Sequence, residues 1–151
     1  MAEGIILLVE DNPDDVELTK RGLRQGHIAN EVVVARDGEE ALDYLWCRGA
    51  WSERDPDQSP AVVLLDIQLP KIDGLEVLEE MRSDPRTRRV PVVMLTSSNE
   101  ERDLVESYDR GANSFVRKPV DFAQFAEAVR HLGLYWLVIN QPAPPGGAAA
   151  E

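Results

Sequence analysis

The sequence predicts an α/β fold, a doubly wound, five-stranded parallel sheet covered on both faces by five helices. Two observations carry this. Five short apolar runs, Ile5 to Val9, Val32 to Ala35, Ala61 to Leu65, Val92 to Leu95 and Phe115 to Val116, are continuous rather than alternating. That pattern suits strands buried on both faces of a parallel sheet. Segments of helical period separate the runs, and such alternation is what right-handed parallel crossovers require.

Element by element, the first strand is followed by a helix carrying Val16, Leu18 and Leu23. The second helix carries Ala41, Leu42, Leu45 and Trp46, and Asp37 with Glu40 three residues on reads as its capping box. Residues 48–60 form a long polar connection, with Trp46 and Trp51 expected to pack the second helix and its loop. Leu75, Val77, Leu78 and Met81 mark the third helix. A weaker, more polar fourth runs from about Asn99 to Arg110 and stops at Gly111. The fifth opens at Asp121, capped with Gln124, and sets Phe122, Phe125, Ala126, Val129 and Leu132 on one stripe. Residues 3–140 thus read as one domain. The Pro/Gly/Ala-rich stretch 141–151 reads as a disordered tail.

Composition narrows the function. With 28 acidic against 16 basic residues the formal net charge is −12, which argues against unaided binding to nucleic acid or an anionic membrane. An apolar share of 43% is enough for one ordinary core. The single cysteine, Cys47, cannot form an internal disulfide. The opening stretch has no basic region, and its apolar run is too short for a signal peptide or a span, so a cytoplasmic protein is expected.

In a parallel α/β sheet all strand C-termini share one edge, and ligands bind outside it. Here the strands end in Glu10-Asp11, Asp66, Thr96-Ser97 and Lys118-Pro119. Each alone has an ordinary explanation as a turn, a cap or a surface charge. Four such endings on one rim do not. Three close carboxylates repel unless a cation compensates. Mg²⁺ takes hard oxygen ligands, and Glu10, Asp11 and Asp66 supply them. Zinc is not suited, since beyond Cys47 the chain offers only His27 and His131, neither near a motif. The chemistry that fits is phosphoryl transfer, with Asp66 as an in-line nucleophile forming an acyl phosphate and with Lys118 and Thr96 contacting the remaining phosphoryl oxygens.

The chain resembles the CheY-like receiver domains of two-component signalling over about residues 3–135. The resemblance rests on LLVEDNPDD (7–15), VVLLDIQLPKIDGLEVLEEMR (62–82), PVVMLTSS (91–98) and GANSFVRKPVD (111–121). It implies a flavodoxin-like strand order 2-1-3-4-5, with Asp66 as phosphoacceptor and a sensor histidine kinase as donor. It further implies Asp11 as direct metal ligand, Glu10 acting mainly through water, and Gln68 offering its backbone carbonyl to the metal. Lys118 matches the phosphoryl-binding lysine, followed by an expected cis bond to Pro119. Thr96 matches the switch hydroxyl and Phe115 the switch aromatic, while Ser97 leaves room for the phosphoryl group and donates its N–H. No activity on a separate substrate is implied, only Mg²⁺-dependent phosphorylation and dephosphorylation of the chain itself. DNPDD, the connection at 48–60, SYDRGANSF and YWLVINQP together resemble the regulators paired with phytochromes, which makes a phytochrome one candidate for the kinase. The sequence departs from the common pattern in having Glu at position 10. Gln68 and Ser98 occupy positions where families differ in dephosphorylation rate.

Past the core stripe, Leu134, Tyr135, Trp136, Leu137, Val138 and Ile139 cover more than one helical face, which points either to a homodimer interface or to a strand-like tail folding back on the domain. Three other functions compete with the receiver reading. A phosphoaspartyl hydrolase of the haloacid dehalogenase type would need a second Asp as general acid where Gln68 stands. A flavin carrier would need a phosphate loop free of Glu10, Asp11, Asp14 and Asp15. A receiver acting purely as an adaptor would not need the full site-residue set found here.

Overall fold

The computed structural model describes residues 4–26, 28, 30–96, 111, 114–118 and 120–131. Its strands are β1 (Ile6–Val9), β2 (Val32–Ala35), β3 (Val62–Asp66), β4 (Val92–Thr96) and β5 (Ser114–Arg117). Its helices are α1 (Pro13–Gln25), α2 (Gly38–Leu45), α3 (Gly74–Ser83) and α4 (Phe122–His131). The strands form one sheet in the order β2-β1-β3-β4-β5, and every pairing is parallel. The expected fold is therefore the observed one. The segment read as a fourth helix, about 99–110, lies outside the described residues, as do the tail 141–151 and Leu134, Tyr135, Trp136, Leu137, Val138 and Ile139.

Strand pleating divides the apolar runs between two cores. Ile6, Leu8, Val62, Leu64, Val93, Leu95 and Val116 face α1 and α4, where Val16, Leu23 and Phe125 meet them. Leu7, Val9, Val63, Leu65, Val92 and Met94 face α2 and α3, where Leu42, Leu45, Val77, Leu78 and Met81 meet them. The first helix departs from expectation at Leu18, which is 43% exposed. Its buried face runs through Val16, Thr19, Gly22 and Leu23 instead. Residue 18 lies two positions from Val16, about 200° around the helix, so it must point away. Gly22 lets α1 approach the chain before α4: a Cβ there would stand 2.4 Å from the Val120 carbonyl oxygen.

Caps set where the helices begin. Asp37 accepts from the Glu40 N–H at 2.8 Å, but Glu40 answers to the Arg36 N–H rather than to its own cap, so only half of the expected box forms. The full reciprocal box is at Asp73 and Glu76, which the sequence reading did not single out. Asp121 caps α4 through the Gln124 N–H at 2.8 Å, as expected.

The connection 48–60 is organised by Arg54. Its guanidinium stacks 4.3 Å above the Tyr44 ring and donates to the carbonyls of Tyr44, Leu45 and Gln58. Trp51 meets Tyr44 edge-on at 5.4 Å, and Trp46 packs on the same core with Arg48 and Arg86 over its ring. Both tryptophans thus pack where expected.

One packing detail controls the functional edge. A Cβ on Gly74 would lie 2.1 Å from the Asp66 carbonyl oxygen, so only glycine lets α3 start directly against the end of β3. Gly74→Ala is therefore expected to destabilise the fold by about 1–3 kcal/mol despite alanine's better helix propensity. Urea denaturation measures this, and an unchanged or raised midpoint would show that α3 can back away freely.

Candidate functional site

The carboxyl edge of the sheet gathers acidic side chains from two neighbouring strands, and an ammonium reaches them across the end of β4. Asp66 is the last residue of β3, Glu10 directly follows β1, and Lys118 directly follows β5. The Lys118 Nζ donates to Glu10 Oε1 at 2.9 Å, to Asp15 Oδ2 at 3.0 Å and to Asp66 Oδ2 at 3.0 Å. An ammonium has three donors, and each is taken by a carboxylate.

Local sequence aims these groups. Asn12 caps α1, its side chain accepting from the N–H of Asp14 at 2.8 Å and of Asp15 at 3.4 Å, with Pro13 opening the helix. Asp14 and Asp15 thereby fall in the first turn, where the helix dipole favours negative charge. The second Glu10 oxygen accepts from the Asn12 N–H at 3.1 Å, and the second Asp66 oxygen from the Gln68 N–H at 3.1 Å. The loop after Asp66 turns through Lys71, a non-glycine residue at φ 68°, in the left-handed region. Lys71 lies 3.5 Å from Asp37 and 3.4 Å from Glu39, tying this loop to the start of α2.

The electrostatics are lopsided. Glu10 is only 1% exposed, and burial pushes its carboxyl up to about 7, with Lys118 opposing and the charge of Asp66 adding to the rise. Burial alone would lower the Lys118 ammonium, but its bonds to Glu10, Asp15 and Asp66 more than reverse this and hold it above the usual lysine range. Around that one cation stand Glu10, Asp11, Asp15 and Asp66, all lining a cavity of about 610 Å³. One oxygen from each of Glu10, Asp11 and Asp66 lies within 4.8 Å of the others. A surplus of hard, closely spaced oxygens is the donor set a divalent cation such as Mg²⁺ takes. The residues fit such an ion.

Of the residues singled out from sequence, Glu10, Asp11, Asp66 and Lys118 come together, and Gln68 lines the same cavity with its side chain exposed. Thr96 closes β4 opposite Arg117; its side chain lies outside the described part, as do Ser97 and Pro119 and hence the expected cis bond. Phe115 pairs with Met94 and packs half-buried on the core facing α2 and α3. Asp15 is the residue the sequence reading missed as a partner of Lys118. Its signal was present in the acidic pair behind Asn12-Pro13, one helical turn after Asp11.

Comparison with known proteins agrees with this geometry. Residues 6–130 match the family described as response regulator receiver domain. The bacteriophytochrome response regulator AtBRR has a solved structure 56% identical in sequence, covering 93% of this chain and 100% of its own, with a TM-score of 0.83. A second bacteriophytochrome response regulator, RtBRR, is 51% identical over 98% of this chain and 88% of its own, with a TM-score of 0.82. Response regulator Rcp1 of Synechocystis sp. is 37% identical over 133 residues, 88% of each chain. The Mn²⁺-bound crystal structure of Rcp1 matches with a TM-score of 0.71 at 35% identity, over 93% of this chain and 99% of that one. Among the described residues no helix is long and apolar enough to cross a membrane.

The buried Glu10 has a consequence for stability. Its folded value of about 7 lies above the ordinary 4.5, so it contributes stability that is whole below about pH 4.5 and lost as pH rises through 7. In chelator, the protein should lose up to about 3 kcal/mol between roughly pH 5 and pH 8 from this group. Mg²⁺ should restore most of it at the higher pH. Urea titrations with and without chelator measure this, and stability that rose with pH in chelator would contradict the site's electrostatics.

Proposed function

The chain belongs to the response regulator receiver domain family, and on that premise we propose that Asp66 accepts a phosphoryl group from a sensor histidine kinase. The observation that carries this reading is the convergence of Glu10, Asp11, Asp66 and Lys118 at one edge of the sheet. An Asp66 oxygen attacks phosphorus in line and forms an acyl phosphate, while the P–N bond to the donor histidine breaks and its electron pair leaves with the imidazole. Lys118, already bonded to Asp66 at 3.0 Å, offsets the negative charge that builds on the phosphoryl oxygens. Thr96 and the Ser97 N–H serve the other oxygens.

Glu10, Asp11, Asp66 and the Gln68 carbonyl would hold Mg²⁺ in this reading. The bound ion supplies charge neutralisation between the acceptor carboxylate and the incoming phosphate. The family binds divalent metal through such acidic residues, and the Mn²⁺-bound form of Rcp1 supports the assignment here. Reorientation of Thr96 together with Phe115 would then carry the change to the surface beside β5. The two bacteriophytochrome regulators among the similar structures support a phytochrome as the kinase. The apolar run Leu134, Tyr135, Trp136, Leu137, Val138 and Ile139 supports self-association through the end of the chain. Output passes by protein contact or by onward phosphotransfer, in the cytoplasm, with no nucleic acid or membrane as partner.

Acetyl phosphate provides the direct test. With Mg²⁺, intact mass should show one phosphoryl adduct on the wild type, none with chelator, and none at this position in Asp66→Asn. An adduct that survived Asp66→Asn unchanged would move the acceptor elsewhere.

A further inference from the structure

Lys118 has no free donor. Its three N–H groups are bonded to Glu10, Asp15 and Asp66 at 2.9, 3.0 and 3.0 Å. On the reading that Asp66 is phosphorylated, the same ammonium must bond a phosphoryl oxygen, so one of these three bonds has to open. The three partners are not equal. The Glu10 side chain is 1% exposed and its other oxygen is tied to the Asn12 N–H. The Asp66 side chain is 7% exposed and its other oxygen is tied to the Gln68 N–H. The Asp15 side chain is 32% exposed and sits in the first turn of α1.

Glu10 and Asp66 are enclosed by the protein and held through their second oxygens, so neither can swing clear of the ammonium. Releasing Asp15 leaves a carboxylate that water and the helix N-terminus can both serve. We infer that Asp15 is the exchangeable counter-ion of Lys118. It holds one ammonium N–H in the unphosphorylated state and yields it to the phosphoryl group. Its charge therefore works against the phosphorylated state, by competing for the same donor and by standing near the incoming anion. Asp15 is a positioning residue in this scheme, since it acts on phosphate only through Lys118. The preceding Asp14 offers an internal comparison. It has the same charge and lies in the same helical turn, but it is exposed and makes no hydrogen bond to the ammonium.

Beryllofluoride with Mg²⁺ is a non-transferable phosphoryl mimic, so its affinity reads the competition apart from any catalysed step. The dissociation constant is measured by amide NMR on the full chain, with Mg²⁺ saturating for each variant. Asp15→Asn should bind roughly three- to tenfold more tightly than wild type, the range of a partly exposed charge-assisted bond. Asp14→Asn should change the constant less than about twofold, as expected of a screened, more distant charge. Asp15→Glu, which keeps the charge, should return close to wild type. Thermal melts of the variants identify any that fail to fold, and Asp15→Ala is the second variant should Asp15→Asn be one of them. Tightening no greater than that of Asp14→Asn, or weaker binding, would overturn the role of Asp15 while leaving Asp66 as acceptor. No binding to the wild type would overturn the acceptor reading, and this inference with it.

Discussion

One ammonium held by three carboxylates is the constraint around which this fold is arranged. Lys118 meets Glu10, Asp15 and Asp66 only because three elements end at the same edge. The parallel sheet supplies that edge. β1 stands beside β3, so Glu10 and Asp66 emerge as neighbours, and β5 is close enough for a long lysine stem to pass over the end of β4. β1 is also where successive crossovers change direction, with β2 on one side and β3 on the other. Sheets of this kind open a crevice there.

The surroundings keep this charged cluster in register. Asn12 turns the chain into α1 and presents Asp15 to the ammonium. Gly74 lets α3 start hard against Asp66, and the reciprocal Asp73–Glu76 box fixes where that start occurs. Lys71 ties the intervening loop to α2 despite a left-handed backbone. The cluster itself is costly for the metal-free protein. Glu10 is buried beside Asp66, and the cation among them cannot neutralise every neighbour. Binding of a divalent ion would relieve that repulsion, and the proposed phosphoryl group would bring new acceptors for the same lysine. Stability and function thus draw on the same charge imbalance.

Much of this was legible in the amino acids. Continuous apolar runs identify buried strands, and once a parallel sheet is inferred, residues just past each run must share an edge. Glu10, Asp11, Asp66 and Lys118 are read in this way without coordinates. Asp15 was not, because acids in a first helical turn are so often explained by the helix dipole that a second role leaves no separate mark. Residue type alone places Leu18 with the apolar stripe, although its angle from Val16 sends it outward. The Asp37 cap was legible, but the return bond from Glu40 depends on the exact path of Arg36, which no spacing rule contains. The β3–α3 loop was the hardest part, since the close approach at Gly74 and the left-handed Lys71 depend on packing between segments far apart in the chain.

Surplus carboxylate around Lys118 should make a divalent-cation site centred on Asp11 and Asp66. Titration with Mn²⁺ followed by electron paramagnetic resonance tests it most directly, because free and bound ion are counted separately. One ion should bind per chain and be displaced by Mg²⁺, with binding lost or greatly weakened in both Asp11→Asn and Asp66→Asn. Binding that persisted unchanged in both variants would contradict it, as would a wild type that bound no ion.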